Sequence, residues 1–387
     1  MRIMGDFGRF LAVFSAGAAL TACAVGNAAA PVAAATRAGA PAARASAPAA
    51  APAVTAAAAQ LPRYGNPAGH VVVPAAARAV NTSKPNRVIG NGTAASCTSA
   101  AVVRAVKKGG IITFNCGAAP VTIIMTATAK VVNTHHHVVL DGGGKVTLSG
   151  AGKIRILYMN TCDPRQKYTT DDCWEQKWPQ LVVQNLTFKD AYSGVKQTKT
   201  SNYGGGAIFD QGGQLKVVNS GFIDNSCYKS GPDLGGAAIR ALGMWQGRPV
   251  YITHDTFHGG RCSNGGALSS IDAKWSVYNS LFTDNHAIGT GANPQPKGSP
   301  GGGSGGAIYT DGDSYNVLIA GTAIRYCHAR EGGGAVFFVV DGGPGTLTIE
   351  NSVLHHNPSA AFQNAPGIFD SVDGHDTPPT VIDSTVN

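Results

Sequence analysis

One short phrase, written several times between Leu181 and Asn357, limits what this chain can become. Its first half reads apolar, x, apolar, x, Asn-Ser, x, Phe, at Val183 to Phe188, Val217 to Phe222, Ile252 to Phe257, Val277 to Phe282, Ile319 to Ile324 and Ile349 to Leu354. Its second half is Gly-Gly-Ala and an aliphatic residue, with first glycines at 205, 235, 265, 305 and 333, so the steps are 30, 30, 40 and 28 residues. Variable steps between fixed ends place insertions in loops and the phrases on invariant strands. The alternation has the strand period of two, filled by β-branched and aromatic residues and bounded by glycines. No helix-length pattern intervenes, which excludes βαβ units and helical repeats and leaves a parallel β-solenoid.

In such a stack, equivalent residues of successive coils lie about 4.8 Å apart. Asn185, Asn219, Asn279 and Asn351 are then expected to form an amide ladder, with His254 and Gly321 as its breaks. Coils of this length, with an Asn-Ser-x-Phe strand and a Gly-Gly-Ala-Ile strand, resemble right-handed parallel β-helix proteins of the pectate-lyase-like superfamily over roughly residues 88 to 387. The Gly-Gly-Ala-Ile phrase also resembles the repeats of polymorphic outer-membrane proteins. The resemblance implies an all-β, right-handed parallel β-helix and suggests a polysaccharide lyase or glycoside hydrolase, with Ca²⁺ as the cofactor such lyases use. One fold hosts many functions, so a non-catalytic surface or adhesion protein is the alternative. The superfamily's catalytic signatures do not carry over, since neither a polygalacturonase-like Asn-Thr-Asp nor a lyase-like Arg-x-Pro-x-x-Arg is present.

Ahead of the repeats, Arg2 and Arg9 precede the apolar run Leu11 to Ala22, the pattern of a secretory signal within residues 1–30. Leu20-Thr21-Ala22-Cys23 resembles the lipobox of bacterial lipoproteins, which makes Cys23 the lipidation candidate and a membrane partner through a lipid anchor; cleavage near Ala28-Ala29-Ala30 is the competing reading. Residues 31–86, rich in alanine and proline, read as a linker. The β-helix domain is expected over 87–387. It opens with a helix from Ser99 to Lys108, N-capped by Thr98 and stopped by Gly109, that covers the first coil. At the other end, Val381 to Val386 repeats the phrase of Ile349 to Leu354 and leaves a sheet edge open.

An exported protein keeps its cysteines oxidised. The spacing pairs Cys97 with Cys116 around the capping helix and Cys162 with Cys173 across the insertion 160–179. Cys227 and Cys262 each lie five residues after a repeat phenylalanine, so they are register equivalents; Cys327 is left over. The formal charge of +8 suits an acidic partner such as an anionic polysaccharide. Without a basic helix or an aromatic nucleic-acid module, nucleic acid is not expected. Oligomeric state cannot be read from the residues.

Site candidates come from the columns. Counting from each Gly-Gly-Ala, an outward column holds Phe209, Ile239, Ser269, Tyr309 and Phe337, and the next holds Asp210, Arg240, Ser270, Thr310 and Phe338. Asp210, Arg240, Arg261 and Asp311 are the catalytic candidates. Phe209, Tyr309 and Trp245 are the substrate-binding ones, in a groove walled by residues 241–249 and 286–304. Asp190, Asp224 and Asp284 stack two residues after the repeat phenylalanine or its equivalent, as a weak Ca²⁺ site or as plain Asx turns. His135-His136-His137 reads as solvated chain rather than a metal site, because neighbours on a strand point to opposite faces. Trp174 and Trp178, on the disulfide-closed insertion, read as a sugar-stacking platform or as a flap packed on the coils.

Overall fold

In the computed structural model, which describes residues 63–166, 169–195, 203–292 and 299–387, each first half-phrase becomes two short strands meeting at one bend. Gln214–Val218 and Gly221–Ile223, then Val250–Thr253 and Thr256–His258, then Trp275–Tyr278 and Leu281–Thr283 are such pairs. The bend residues Asn219, His254, Asn279 and Asn351 have φ between 47° and 54°, and Gly321 has φ 61°. This left-handed region is open to glycine and tolerated by asparagine, which explains the recurring residue better than an amide ladder does. The ladder forms in part. Asn219 Nδ2 donates to Asn185 Oδ1 at 2.7 Å, but Asn279 turns its amide to the backbone of Val71.

The chain is an all-β parallel β-helix. Bend strands of successive coils pair in parallel, Phe222 beside Phe257 and Phe257 beside Phe282. A second, narrow sheet stacks Tyr192–Ser193, Ser226–Cys227, Arg261–Cys262, His286–Ala287 and His328–Ala329. The strand after each glycine corner builds the third sheet, from Ala129–Lys130 through Leu157–Asn160, Ile208–Gln211, Ile239–Leu242, Leu268–Ile271 and Ile308–Asp311 to Val336–Val340 and Ile368–Val372. Every inter-coil strand pairing among the described residues is parallel.

Columns of like residues fill the interior. Phe188, Phe222, Phe257 and Phe282 stack with centroids 5.0, 4.8 and 4.6 Å apart and planes within 9° of parallel. Beside them the serine of each Asn-Ser accepts a backbone N–H from the coil before. Asp255 N donates to Ser280 Oγ, Ser280 N to Thr322 Oγ1, Thr322 N to Ser352 Oγ and Ser352 N to Ser384 Oγ, at 2.9 to 3.1 Å. Asp255 takes a serine's place and accepts from Ser220 N and Thr253 N; its burial raises the carboxyl pKa well above the usual range. At the next corner, Asn225, Asn285 and Asn357 each bridge their own coil to the one before, as in Ala191 N to Asn225 Oδ1 and Asn225 Nδ2 to Phe188 O. Cys327 stands in this column, buried, its thiol pushed up to about 12 by desolvation.

Three disulfides join the expected partners, Cys97–Cys116, Cys162–Cys173 and Cys227–Cys262, with Cα separations of 5.7, 5.1 and 4.7 Å. The helix Ser99–Lys108 forms where expected, with Ala101 N donating to Thr98 Oγ1. Val381 pairs beside Ile349, so the last strands do continue the stack.

Two expectations need correcting. Counting both phrases from their first glycines misplaces one coil by a residue, because Ile239 pairs with Ile208 and Leu268. Gly236, not Gly235, is therefore the corner equivalent of Gly205, and both have positive φ. Residues 63–86, assigned to the linker, are instead a strap laid along the coils. Asn86 N donates to Ile111 O, Thr82 Oγ1 to Asp141 Oδ2 and Val80 N to Gln184 Oε1. Further along, Lys216 Nζ bonds Ala76 O, while Asn66 reaches Asn279 O and Gly321 O. The chain then doubles back through Gly65 N on Thr256 Oγ1 to the Tyr64 hydroxyl on Thr187. Its alanines and prolines carry no period because backbone groups and scattered polar side chains, rather than a periodic apolar face, tie it down.

Candidate functional site

The corrected register rearranges the candidates. Phe209, Arg240, Ser269 and Tyr309 now share one column that points away from the main core, and Asp210, Ala241, Ser270 and Thr310 share the inward one. A one-residue slip exchanges faces, so Asp210 and Arg240 are not partners. Asp210 is fully buried with neither carboxyl oxygen hydrogen-bonded to a side chain, and burial raises its pKa well above the usual range. The outward column is not an open groove. Arg240 is completely covered, donating to Ser269 Oγ and to the carbonyl of Asp233. The 231–233 segment, tied by Gly231 N to Gly301 O, and the Tyr203 ring, 6.0 Å from the guanidinium, lie against it. Tyr309 is also buried, stacked 4.9 Å from Phe337. It donates to Asp311 Oδ2 at 2.8 Å, while burial pushes the Asp311 carboxyl up to about 6. Of the wall expected at 286–304, Pro294 and Pro296 lie outside the described residues.

Arg261 is exposed, but on the narrow second sheet between Ser226 and His286, away from Arg240's strand. Asp190, Asp224 and Asp284 have φ of 49°, 53° and 53°, with Gly259 replacing them in the coil between at 70°. They are left-handed corner residues. Asp284 meets His286 Nε2 at 2.7 Å, and no group of three or more metal-ligating side chains occurs among the described residues. Cys23 lies outside the described residues.

Trp245, by contrast, stands in a cleft at the corner between the third sheet and the bend strands. That corner is only Gly212 and Gly213 in one coil, but it is flanked by the long insertion before and by residues 243–249 after. Two long loops beside a two-residue turn leave a depression of about 450 Å³, lined by His136, His137, Lys177, Trp178, Gln180, Gln214, Trp245 and Arg248. Several contacts pin the insertion across it. The Cys162–Cys173 bond closes its base, and Thr161 Oγ1 donates to Cys173 O. Trp174 lies against Gly243, where a Cβ would fall 2.0 Å from its ring. Glu175 Oε2 accepts Gln246 N, and Gln214 Nε2 donates to Lys177 O, both at 3.0 Å.

This docking sets cations against rings. Lys177 Nζ is 5.5 Å from the Trp178 centroid and 5.1 Å from that of Trp245, and the Arg248 guanidinium is 5.4 Å from Trp245. His136 stacks on Trp178 at 4.0 Å. Trp178 keeps 37% of its surface exposed, and His136, His137, Lys177 and Arg248 are exposed too. The exposed part of the Trp178 ring offers apolar surface of the kind that meets the C–H face of a sugar, and the exposed cations are of the kind that bind a carboxylate or another anion. No protein-family model, curated protein or solved structure matches the chain. The cleft's chemistry therefore has to speak through its own residues. Trp178 and Trp245 were visible in the sequence as loop tryptophans, each with a cation within three residues. That pairing was the available signal, and Lys177, Arg248 and His136 were missed because only docking brings them together.

Proposed function

We propose that this protein is an exported, cell-envelope-anchored parallel β-helix of the pectate-lyase-like kind that binds an anionic extracellular polysaccharide in the Trp178–Trp245 cleft. The observation that carries this reading is the paired tryptophans with Lys177 between them and Arg248 beside Trp245, with Trp178 and both cations exposed. Three disulfides are compatible with an oxidising compartment outside the cytoplasm. The cleft's lining residues include no carboxylate, so its geometry favours binding over acid–base cleavage of the kind that needs paired carboxylates.

Affinity for a polyuronate, followed by tryptophan fluorescence, tests the site. Lys177→Ala and Arg248→Ala are each expected to weaken binding by about 1.5–3 kcal/mol, the range of a charge-assisted hydrogen bond. Trp245→Ala should also weaken it, and added salt should weaken binding to the wild type. Arg261→Ala, on a different sheet, should change nothing. Loss in Arg261→Ala with the cleft variants unaffected would move the site away from the tryptophans. Release of unsaturated products or reducing ends in the same mixtures would show that the protein also cleaves.

Export makes a separate prediction. Cys23→Ala should shift the protein from the membrane fraction to the medium or leave it unprocessed. A wild-type mature N-terminus found near Pro31 would remove the lipid anchor.

A further inference from the structure

We infer that the cleft holds only a short anionic segment, about one glycosyl unit per coil across three coil steps, and that the next coils actively stop the ligand from extending. This rests on the polysaccharide reading above and specifies its substrate. The lining residues occupy the same corner in successive coils, with Gln180 paired beside His137 and Gln214 beside Gln180, and with Arg248 in the following turn. Three steps of about 4.8 Å make a track about 14 Å long, parallel to the stack, and a pyranose with its linkage advances a polymer by about one such step.

Beyond that track the corner changes sign. Lys274 is its last cation, with Nζ 3.3 Å from where a Cβ on Gly247 would sit. Asp272 shares that turn with Lys274, and the same corner of the following coils carries only acids, Asp313, Asp341 and Asp373, all four aspartates being exposed. They occupy successive coils: Asp272 Oδ1 accepts Asp313 N at 2.8 Å, Asp341 N bonds Gly312 O, and Asp373 Oδ1 accepts Gly343 N at 3.3 Å. Their proximity shows in the carboxyl pKa values of Asp272 and Asp341, which are raised first by desolvation and further by the neighbouring aspartates. A polyanion lying in the cleft and running on along the corner would meet this row of like charges.

Oligouronates of two to ten units, titrated at low salt into the mature protein, give the test. Affinity should climb to three or four units and then level off. The Asp272→Asn/Asp313→Asn variant keeps the turn's acceptor oxygen. It should leave the trimer's affinity unchanged and gain about twofold per carboxylate removed for longer chains, the scale of two unit charges 7–8 Å apart in water. Wild-type affinity that keeps rising with length, or a variant gain equal at every length, would overturn the length limit while sparing the binding reading. Matched oligomers of glycerol phosphate form a second arm. Tighter binding there with the same plateau would keep the limit and overturn the uronate as ligand. No binding of any oligomer would remove the polysaccharide reading and this inference with it.

Discussion

Replacing Phe257 by alanine is expected to cost about 3–5 kcal/mol, the range for truncating a buried aromatic side chain. Phe257 is 1% exposed and lies between two parallel rings, 4.8 Å from Phe222 and 4.6 Å from Phe282. The cavity would open on both sides, and backbone ladders above and below prevent the coils from collapsing into it. In a stack whose units touch only their neighbours, such a cavity also weakens communication between the coils on either side. Guanidinium unfolding of Phe257→Ala should therefore show a lower midpoint and a broadened or split transition. Phe257→Leu, which keeps most of the volume, should lose less and remain cooperative. A loss below about 1.5 kcal/mol in the alanine variant would mean that the stack contributes little beyond filling space.

The second large effect concerns pH. Asp210 and Asp370 lie in the same inward column, both buried, and Oδ1 of Asp370 has no hydrogen-bond partner among the described residues. Burial pushes Asp370 up to about 7 and Asp210 well above its usual 3.8. The folded chain then keeps protons that the unfolded chain has released. Stability from these groups is complete below about pH 4 and declines as pH rises, through about 7 for Asp370, with Asp210 adding to the same decline. Asp370→Asn should flatten that decline and stabilise the protein at pH 8 by roughly 1–3 kcal/mol, because an amide removes the need to bury a charge. Asp210→Asn should act in the same direction. His254 and His328, whose pKa values burial lowers, oppose the trend as pH falls. Subtracting the variant's melting curves from the wild type's isolates the carboxyls. A difference that is flat between pH 4 and 8 would contradict their burial in neutral form.

How much of this was legible in the residues depends on what each feature is made of. The repeat strands and the Cys227–Cys262 pairing follow from side-chain periodicity, and Phe222 and Phe257 were enough to place that pair. The slip at Gly235 arose because Gly-Gly-Ala-Ala fits two alignments one residue apart, and only pairing with Ile208 and Leu268 decides between them. That single residue changed Arg240 from a member of the Asp210 column into a neighbour of Phe209. The bridging Asn225 and Asn285 were visible in Asp-Asn-Ser and Asp-Asn-His but were passed over for the aspartates before them, which merely turn the corner. The cleft was the least legible feature, since it depends on how Trp174 and Glu175 seat one loop against another.

The strap of residues 63–86 changes how the solenoid would take a load. A chain entering a stack at its first coil would pull that coil off its neighbours, like the end turn of a spring. Here the chain arrives at the flank, beside Thr187 and Thr256, and runs out to Gly321 before returning to Ile111. Tension applied upstream of Arg63 meets Tyr64 and Gly65, then the Asn66 and Val71 bonds on Asn279, before it can reach the first coil. The strap acts as the strain relief on a cable, spending a pull on its own hydrogen bonds while the capping helix and the first coil stay unloaded.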